Sequence, residues 1–578
     1  MSRTETCDFL RDAAERTSFK LSTEHYRDKD ELGYLLSQLP ISTARPLKVI
    51  VIGAGFSGVA FAKAVNVGQL KHIDLQIYEK NSGIGGTWFE NRYPGCACDI
   101  PIHNYQFSWA PYPGFGRYYA GSQEIRDYIE AVAEQHGLLK YVKTSHMVTG
   151  AVWDETRQKW AVEIQKTNGQ ELVKSQRHGG KCDILINASG FVNDWKWPSI
   201  PGRESFRGIT LHTAAYDQTI DLQGKRVAVI GNGSSGVQVL ASIIDEVASV
   251  AAYMRSPAWI TPGFAITHAP KGLTFSEETK EKWTADPSEY LKYRKALEAE
   301  LNSHFKVYLK DSEDQKVARK RAMAQLQGKL ARKPELVAKL TPDFAVGCRR
   351  LTPGNGYLEA LSSDKCETVW GEIDCFTPTG LKSADGTERE FDVIICATGF
   401  DISFTPRFPV VGIEGQTLQD AWAKRPEAYL SMFAAGMPNY FTYLGPSSPI
   451  GHGSLVTIIE MITQYIVDMA EKLQTQNYSS VVVKPEAAHA YAEHSLAWLE
   501  QSSWNTNCVS TYKNGKRDGE LVSLHAGSRL HFFKLLQTRR YEDFEWKSLC
   551  PDPNLRFAWV GNGFIAEEFD TPEGFDMT

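Results

Sequence analysis

Long apolar runs are missing from this chain of 578 residues. No stretch approaches the roughly 20 consecutive apolar residues that a bilayer-spanning helix needs, so no membrane partner is expected. An excess of basic charge is missing too. Lys and Arg number 63 against 69 Asp and Glu, a formal net charge of −6. Nucleic-acid binders ordinarily carry a positive field, so no nucleic-acid partner is expected either. The first residues, MSRTETCDFLRDAAERTSFK, hold no apolar leader core. The terminal GFDMT is neither a peroxisomal nor an ER-retention tail. A cytoplasmic location is therefore the expectation. Cysteine is sparse: ten residues are scattered along the chain, and only Cys96 and Cys98 stand close together. C-x-C is neither the redox C-x-x-C nor half of a zinc knuckle. Free thiols in a reducing compartment are expected, and no metal site.

What is present reads as a well-packed globular protein. Hydrophobic residues make up 42% and charged residues 23%, close to ordinary usage, and the length suggests two to four domains. LKVIVIGAGFSGVAFAKAV, 47–65, reads as a buried strand, a glycine turn and a helix. KRVAVIGNGSSGVQVLASII, 225–244, repeats that pattern, a weak internal repeat of a dinucleotide-binding unit. SQEIRDYIEAVAEQHGL, 122–138, has helical periodicity with Ser122 at the expected N-cap. Alternation near 145–175 suggests an antiparallel meander, and 263–345 is charged and helical.

The expected fold is α/β, with two Rossmann-like dinucleotide-binding domains and a helical insertion. The expected boundaries are an N-terminal helical extension at 1–45 and a discontinuous flavin domain at 46–190 and 396–578. A nucleotide domain is expected at 191–262 and 346–395, interrupted by the helical insertion at 263–345.

The first glycine loop runs Gly53-Ala54-Gly55-Phe56-Ser57-Gly58. Its glycines suit a tight turn, a close pyrophosphate and close helix–strand packing, and the helix N-terminus offers free N–H groups to phosphate. Glu79 ends the next strand. A carboxylate there accepts ribose hydroxyls and repels a 2′-phosphate, which selects FAD or NAD over NADP. The second loop is Gly231-Asn232-Gly233-Ser234-Ser235-Gly236, and its following strand ends in Arg255 and Ser256. A guanidinium and a hydroxyl suit a 2′-phosphate, hence NADPH. One acidic and one basic dinucleotide site imply electron flow from NADPH to a flavin.

Three further segments carry a family resemblance. GGTWFENRYPGCACD, 85–99, matches G-x-W-x-x-x-x-Y-P-G-x-x-x-D in full. FRGITLHTAAYD, 206–217, matches F-x-G-x-x-x-H-x-x-x-W followed by Asp, except that Tyr216 replaces the Trp. GCRRLTPGNGYLEAL, 347–361, contains adjacent arginines. Together these resemble the type I, FAD- and NADPH-dependent Baeyer–Villiger monooxygenases, over about residues 46–545.

The resemblance implies NADPH reduction of FAD and formation of a C4a-peroxyflavin with O2. One oxygen atom is then inserted beside a ketone carbonyl, giving an ester or lactone. It places the active-site arginine at Arg350, held by Asp99, and puts Arg349 near the nicotinamide ribose. It matches Trp504, in SSWNTN, to a loop tryptophan that reaches the nicotinamide cofactor. Phe56, Ser57, Gly86, Thr87, Trp88, Asp99 and Tyr105 join the first loop and Glu79 as expected flavin contacts. Ser234 and Ser235 join Gly231, Gly233, Gly236, Arg255 and Ser256 for NADPH. The 206–218 stretch is read as a linker between the two domains, with His212 an orienting hydrogen-bonder. Tyr216 nudges toward relatives that oxygenate nitrogen or sulfur, whereas Arg350 and the 85–99 segment argue for ketones. A non-catalytic nucleotide-sensing flavoprotein is the rival from another class.

Overall fold

The computed structural model describes residues 37–168, 171–550, 552–566 and 568. Most of the expected N-terminal extension lies outside them. The strand Leu47–Ile52 is buried at every position but Lys48, as expected of a parallel strand covered on both faces. It sits at the centre of a five-stranded sheet, flanked by Ile73–Tyr78 and Ile184–Asn187, with Val142–Lys143 and Tyr440–Thr442 at the edges. Helix Phe56–Asn66 leaves its C-terminal end with Val59, Phe61 and Ala62 facing the core. The apolar helix Leu455–Thr475 packs against it.

A second parallel sheet runs in the order 366–370, 249–254, 226–230, 393–396, 209–212. Helix Ser234–Ile243 follows its central strand. Both sheets thus place a glycine turn at the C-terminal end of a central strand, where open α/β sheets bind ligands. A third, mostly antiparallel sheet is the expected meander, His146–Asp154, Lys159–Asn168 and Glu171–Cys182, joined by Val410–Val411.

Four helices, Glu277–Ala285, Pro287–Ser303, Glu313–Lys329 and Glu335–Leu340, occupy the charged 263–345 region. Ser276, Asp286 and Ser312 cap the first three by accepting from backbone N–H groups of the opening turns. No described helix is long and apolar enough to cross a membrane, and no described cluster of His, Cys, Asp and Glu could hold a metal.

Three expectations are corrected. Ser122 is the first helical residue of Ser122–Gln135 and makes no cap bond; Gly121 holds the cap position. The 206–218 stretch is more than a linker, because Ile209–His212 forms the edge strand of the second sheet beside Val393–Cys396. Phe206 packs with Phe376 on one face of that sheet, and Tyr216 joins the large core on the other. His212 is buried there. Its Nδ1 accepts from Ala214 N–H at 3.1 Å, leaving Nε2 to donate to Thr398 Oγ1 at 3.1 Å.

The third correction concerns cysteine. Cys348 and Cys508 form a disulfide across a sequence separation of 160, while the other described cysteines are free. Pairing depends on Cα atoms meeting in space, here at 6.4 Å, and sequence spacing carries no trace of that.

Candidate active site

The first glycine turn is closed from several sides. A Cβ on Gly58 would lie 2.2 Å from the Gly53 carbonyl oxygen, so only glycine lets this helix start where it does. Gly86, at φ +54, brings its backbone over Gly55; a Cβ there would lie 3.1 Å from the Gly55 Cα. Glu79 is 3% exposed. One carboxylate oxygen accepts from Ala54 N–H at 2.8 Å, and the other from the Asn81 N–H at 2.9 Å. Burial pushes its carboxyl up, and those two N–H groups pull it back. Ser57 is buried in the first helical turn, and the Phe56 ring meets Tyr105 edge-on at 5.2 Å. Thr87 and Trp88 open the short helix Thr87–Glu90. Trp88 Nε1 is buried beside the Tyr105 hydroxyl without a well-formed hydrogen bond. A buried donor left underused beside a phosphate-type turn fits a bound flavin.

The second turn is open. Nothing lies within 4 Å of a Cβ built on Gly233, so a ligand can reach the backbone there. Asn232 Nδ2 donates to the Ser256 carbonyl at 2.8 Å, and Ser234 Oγ lies 2.9 Å from Thr352 Oγ1. Gly231, with its positive φ, makes the turn; Ser235 and Gly236 continue into the helix. Arg255 stands at the rim with 75% of its side chain exposed, 4.0 Å from Glu372.

Arg349, expected near the nicotinamide ribose, is held by three protein partners. Its guanidinium donates to Ser256 Oγ at 2.8 Å and to the Pro257 carbonyl at 3.3 Å, and Nε donates to the Val509 carbonyl at 2.8 Å. It therefore sits beside Ser256, just past the end of the strand Ser249–Met254. Burial lowers its pKa, and Arg255 and Arg517 add to this. Arg255 and Arg517 thus leave Arg349 in a positive local field.

Between the two turns, Asp99 and Arg350 form a fork. Arg350 Nε donates to Asp99 Oδ2 at 2.6 Å and a terminal nitrogen donates to Oδ1 at 2.8 Å. The other terminal nitrogen donates to the Ile450 carbonyl at 3.0 Å. Burial works against the charge, but Asp99 outweighs it and holds the guanidinium well above its ordinary pKa. The pair is not sealed: 32% of the arginine side chain and 16% of the aspartate remain exposed.

Trp504 is 2% exposed, stacked on Tyr308 with ring centres 4.7 Å apart, and its Nε1 has no acceptor among the described residues. Two residues not foreseen adjoin the fork. Tyr308 and Tyr512 are buried beside Arg350, and the Tyr512 hydroxyl makes no well-formed hydrogen bond. Nothing in their spacing could have announced them, since Tyr308 comes from the helical insertion and Tyr512 from the loop after Trp504.

Comparison with known proteins agrees with this geometry. The family model described as flavin-binding monooxygenase-like matches residues 46–306. An FAD-binding monooxygenase, tazF of Aspergillus terreus, is 36% identical over 542 residues, covering 92% of this chain and 94% of its own. The chain belongs to the flavin-binding monooxygenase family. A relative named Baeyer-Villiger monooxygenase from Pseudomonas aeruginosa is 32% identical, with 82% and 86% covered. The solved structure of an oxidised steroid monooxygenase bound to NADP superposes with a TM-score of 0.74 at 25% identity, covering 88% of this chain and all of that one. This flavin monooxygenase is thus related to the Baeyer–Villiger enzymes, and it carries an FAD site and an NADP site on two parallel α/β sheets.

Proposed function

We propose that this monooxygenase uses NADPH and O2 to insert one oxygen atom beside the carbonyl of a small-molecule ketone, giving an ester or lactone. The supporting observation is the Arg350–Asp99 fork, a protonated guanidinium held bidentately with 32% of its side chain still exposed. When bound, FAD activates oxygen and NADPH supplies the hydride.

The remaining work falls to the chain itself. Gly53, Gly55, Phe56, Ser57, Gly58 and Glu79, with Gly86, Thr87, Trp88 and Tyr105, would hold the flavin. Gly231, Gly233, Ser234, Ser235 and Gly236 would take the NADPH pyrophosphate, with Arg255, Ser256 and Arg349 at its 2′-phosphate. Arg350 keeps its proton at any working pH and stabilises negative charge that develops as the carbonyl is attacked. In a water-poor site one such charge lowers a barrier by about 3–4 kcal/mol, or about 10²–10³ in rate. Asp99 orients the fork and offsets the cost of a buried cation. Trp504, Tyr308 and Tyr512 form an aromatic wall that keeps water from the fork.

Replacing Arg350 tests the reading. In Arg350→Ala, NADPH should still bleach the flavin at a rate near wild type, while ester formation from a cyclic ketone falls by about 10² or more. Undiminished oxygenation would remove Arg350 from the mechanism. Sulfoxide from a thioether, with no ester or lactone from a broad ketone panel, would reassign the chemistry to soft nucleophiles.

A further inference from the structure

The Cys348–Cys508 disulfide lies at the seam of the proposed site. Cys348 immediately precedes Arg349 and Arg350, and Cys508 lies between Trp504 and Tyr512 in the loop that walls the fork. Both cysteines are buried, at 0% and 1% exposure. The bond therefore joins the segment carrying the reactive cation to the loop carrying its aromatic shield. Arg349 Nε donates to Val509 O across the same seam, so the two segments stay in touch even if the covalent link opens.

The surroundings also suit the open form. Cys348 Sγ lies 3.5 Å from the Thr506 carbonyl oxygen and 3.7 Å from that of Trp504. A disulfide sulfur has no hydrogen to donate, so in the linked state these are contacts only. A Cys348 thiol would find two acceptors already in place. Both redox states are accommodated without rebuilding the seam. In a reducing compartment, the expected location, such a disulfide would be transient or redox-sensing rather than a permanent brace.

We propose that Cys348 and Cys508 are a redox-responsive positioning pair. Linked, they hold the 503–512 loop covalently against the Arg350 segment; reduced, they leave it held by hydrogen bonds alone, the loop loosens over the fork, and NADPH oxidation leaks to hydrogen peroxide instead of product. The step is ordinary thiol–disulfide exchange. A small-molecule thiolate attacks one sulfur, the other leaves as a thiolate and takes a proton, and a second small thiol resolves the mixed disulfide. Two protein thiols and one small-molecule disulfide result, and the reverse exchange restores the link. The consequence for oxygenation rests on the function proposed above; the existence of the switch does not.

The test uses the flavin-loaded enzyme, as purified, after dithiothreitol, and after reoxidation with oxidised glutathione. Alkylation and peptide mass mapping should find Cys348 and Cys508 unlabelled at first, labelled after dithiothreitol, and protected again after reoxidation. Without ketone, the rate of peroxide release should rise by about threefold or more on reduction and return on reoxidation, while flavin reduction by NADPH changes less than about twofold. The Cys348→Ser, Cys508→Ser double variant should leak at the reduced level and ignore both reagents. Labelling of both cysteines in the untreated enzyme would overturn the proposal, as would unchanged peroxide release after complete reduction. The wild-type cycle stands by itself should the double variant fail to fold. Peroxide release and thiol mapping need no ketone, so they report on the pair even if no ester is ever formed.

Discussion

At the first glycine turn Gly86 closes over Gly55 and Glu79 is buried to 3%; at the second, the space over Gly233 is empty to 4 Å and Arg255 stands 75% exposed. The two turns begin from the same strand–glycine–helix grammar. Gly58 and Gly236 play the same part, each with a Cβ position in collision with the first glycine's carbonyl. The difference lies in what covers them. The 85–105 segment lids the first turn with aromatic rings, as a cofactor that stays bound requires. The second turn is lidless, with positive charge at its rim, as a coenzyme that arrives and leaves on every cycle requires. Under the function proposed above, one motif would thus serve as a socket in one sheet and as a dock in the other.

The largest expected effect comes from exchanging a glycine for alanine in each turn. Gly58→Ala forces a methyl into the Gly53 carbonyl at 2.2 Å, a clash with backbone that costs about 1–3 kcal/mol or more. The purified protein should have lost most of its flavin absorbance. Gly233→Ala meets no atom and has an ordinary negative φ. It should keep its flavin and raise the KM for NADPH by about tenfold, through a pyrophosphate held off the backbone. Equal flavin content in both variants would break the distinction between socket and dock.

A smaller effect is expected at the charged rim. Charge-assisted bonds to a phosphate contribute about 1.5–3 kcal/mol, so Arg255→Ala should lower the kcat/KM preference for NADPH over NADH by about tenfold. Arg349→Ala should lower it as well, because Arg349 donates to Ser256 at the same strand end. Equal use of the two coenzymes by the wild type would sink both assignments.

The smallest effect belongs to His212, on the edge strand of the dock's sheet. Burial depresses its pKa to about 4 from 6.5. The unfolded chain therefore binds a proton that the folded one refuses between those values. Stability is highest above about pH 6.5 and declines as pH falls toward 4, since the slope with pH is positive wherever the unfolded state holds more protons. His212→Gln should flatten that decline by about 1–2 kcal/mol at pH 5, read as urea midpoints at pH 7.5 and 5. Flavin content should not change. An acid slope identical to wild type would show that His212 does not carry it.

Much of this was legible in sequence because it depends on neighbours along the chain. A run of β-branched residues, a glycine turn and a helix are local events, and the acid or base at the next strand's end follows at nearly fixed spacing. The Arg350–Asp99 pairing was reachable only through resemblance, since the two residues stand 251 positions apart. Tyr308 and Tyr512 were not reachable at all. Tyr216, which blurred the family boundary in sequence, is a buried anchor of the main core.

By itself, then, the sequence determined two nucleotide-binding units, their opposite charge at the strand ends, and an α/β architecture, because short-range patterning and backbone sterics set these. Tertiary structure alone decided that one turn is lidded and the other bare, and that Arg349 stands against Ser256 beyond the end of the strand Ser249–Met254. It also decided that two unremarkable cysteines meet beside the reactive arginine. Those outcomes depend on which distant segments come within a few ångströms of one another, and a linear pattern does not encode distance through space.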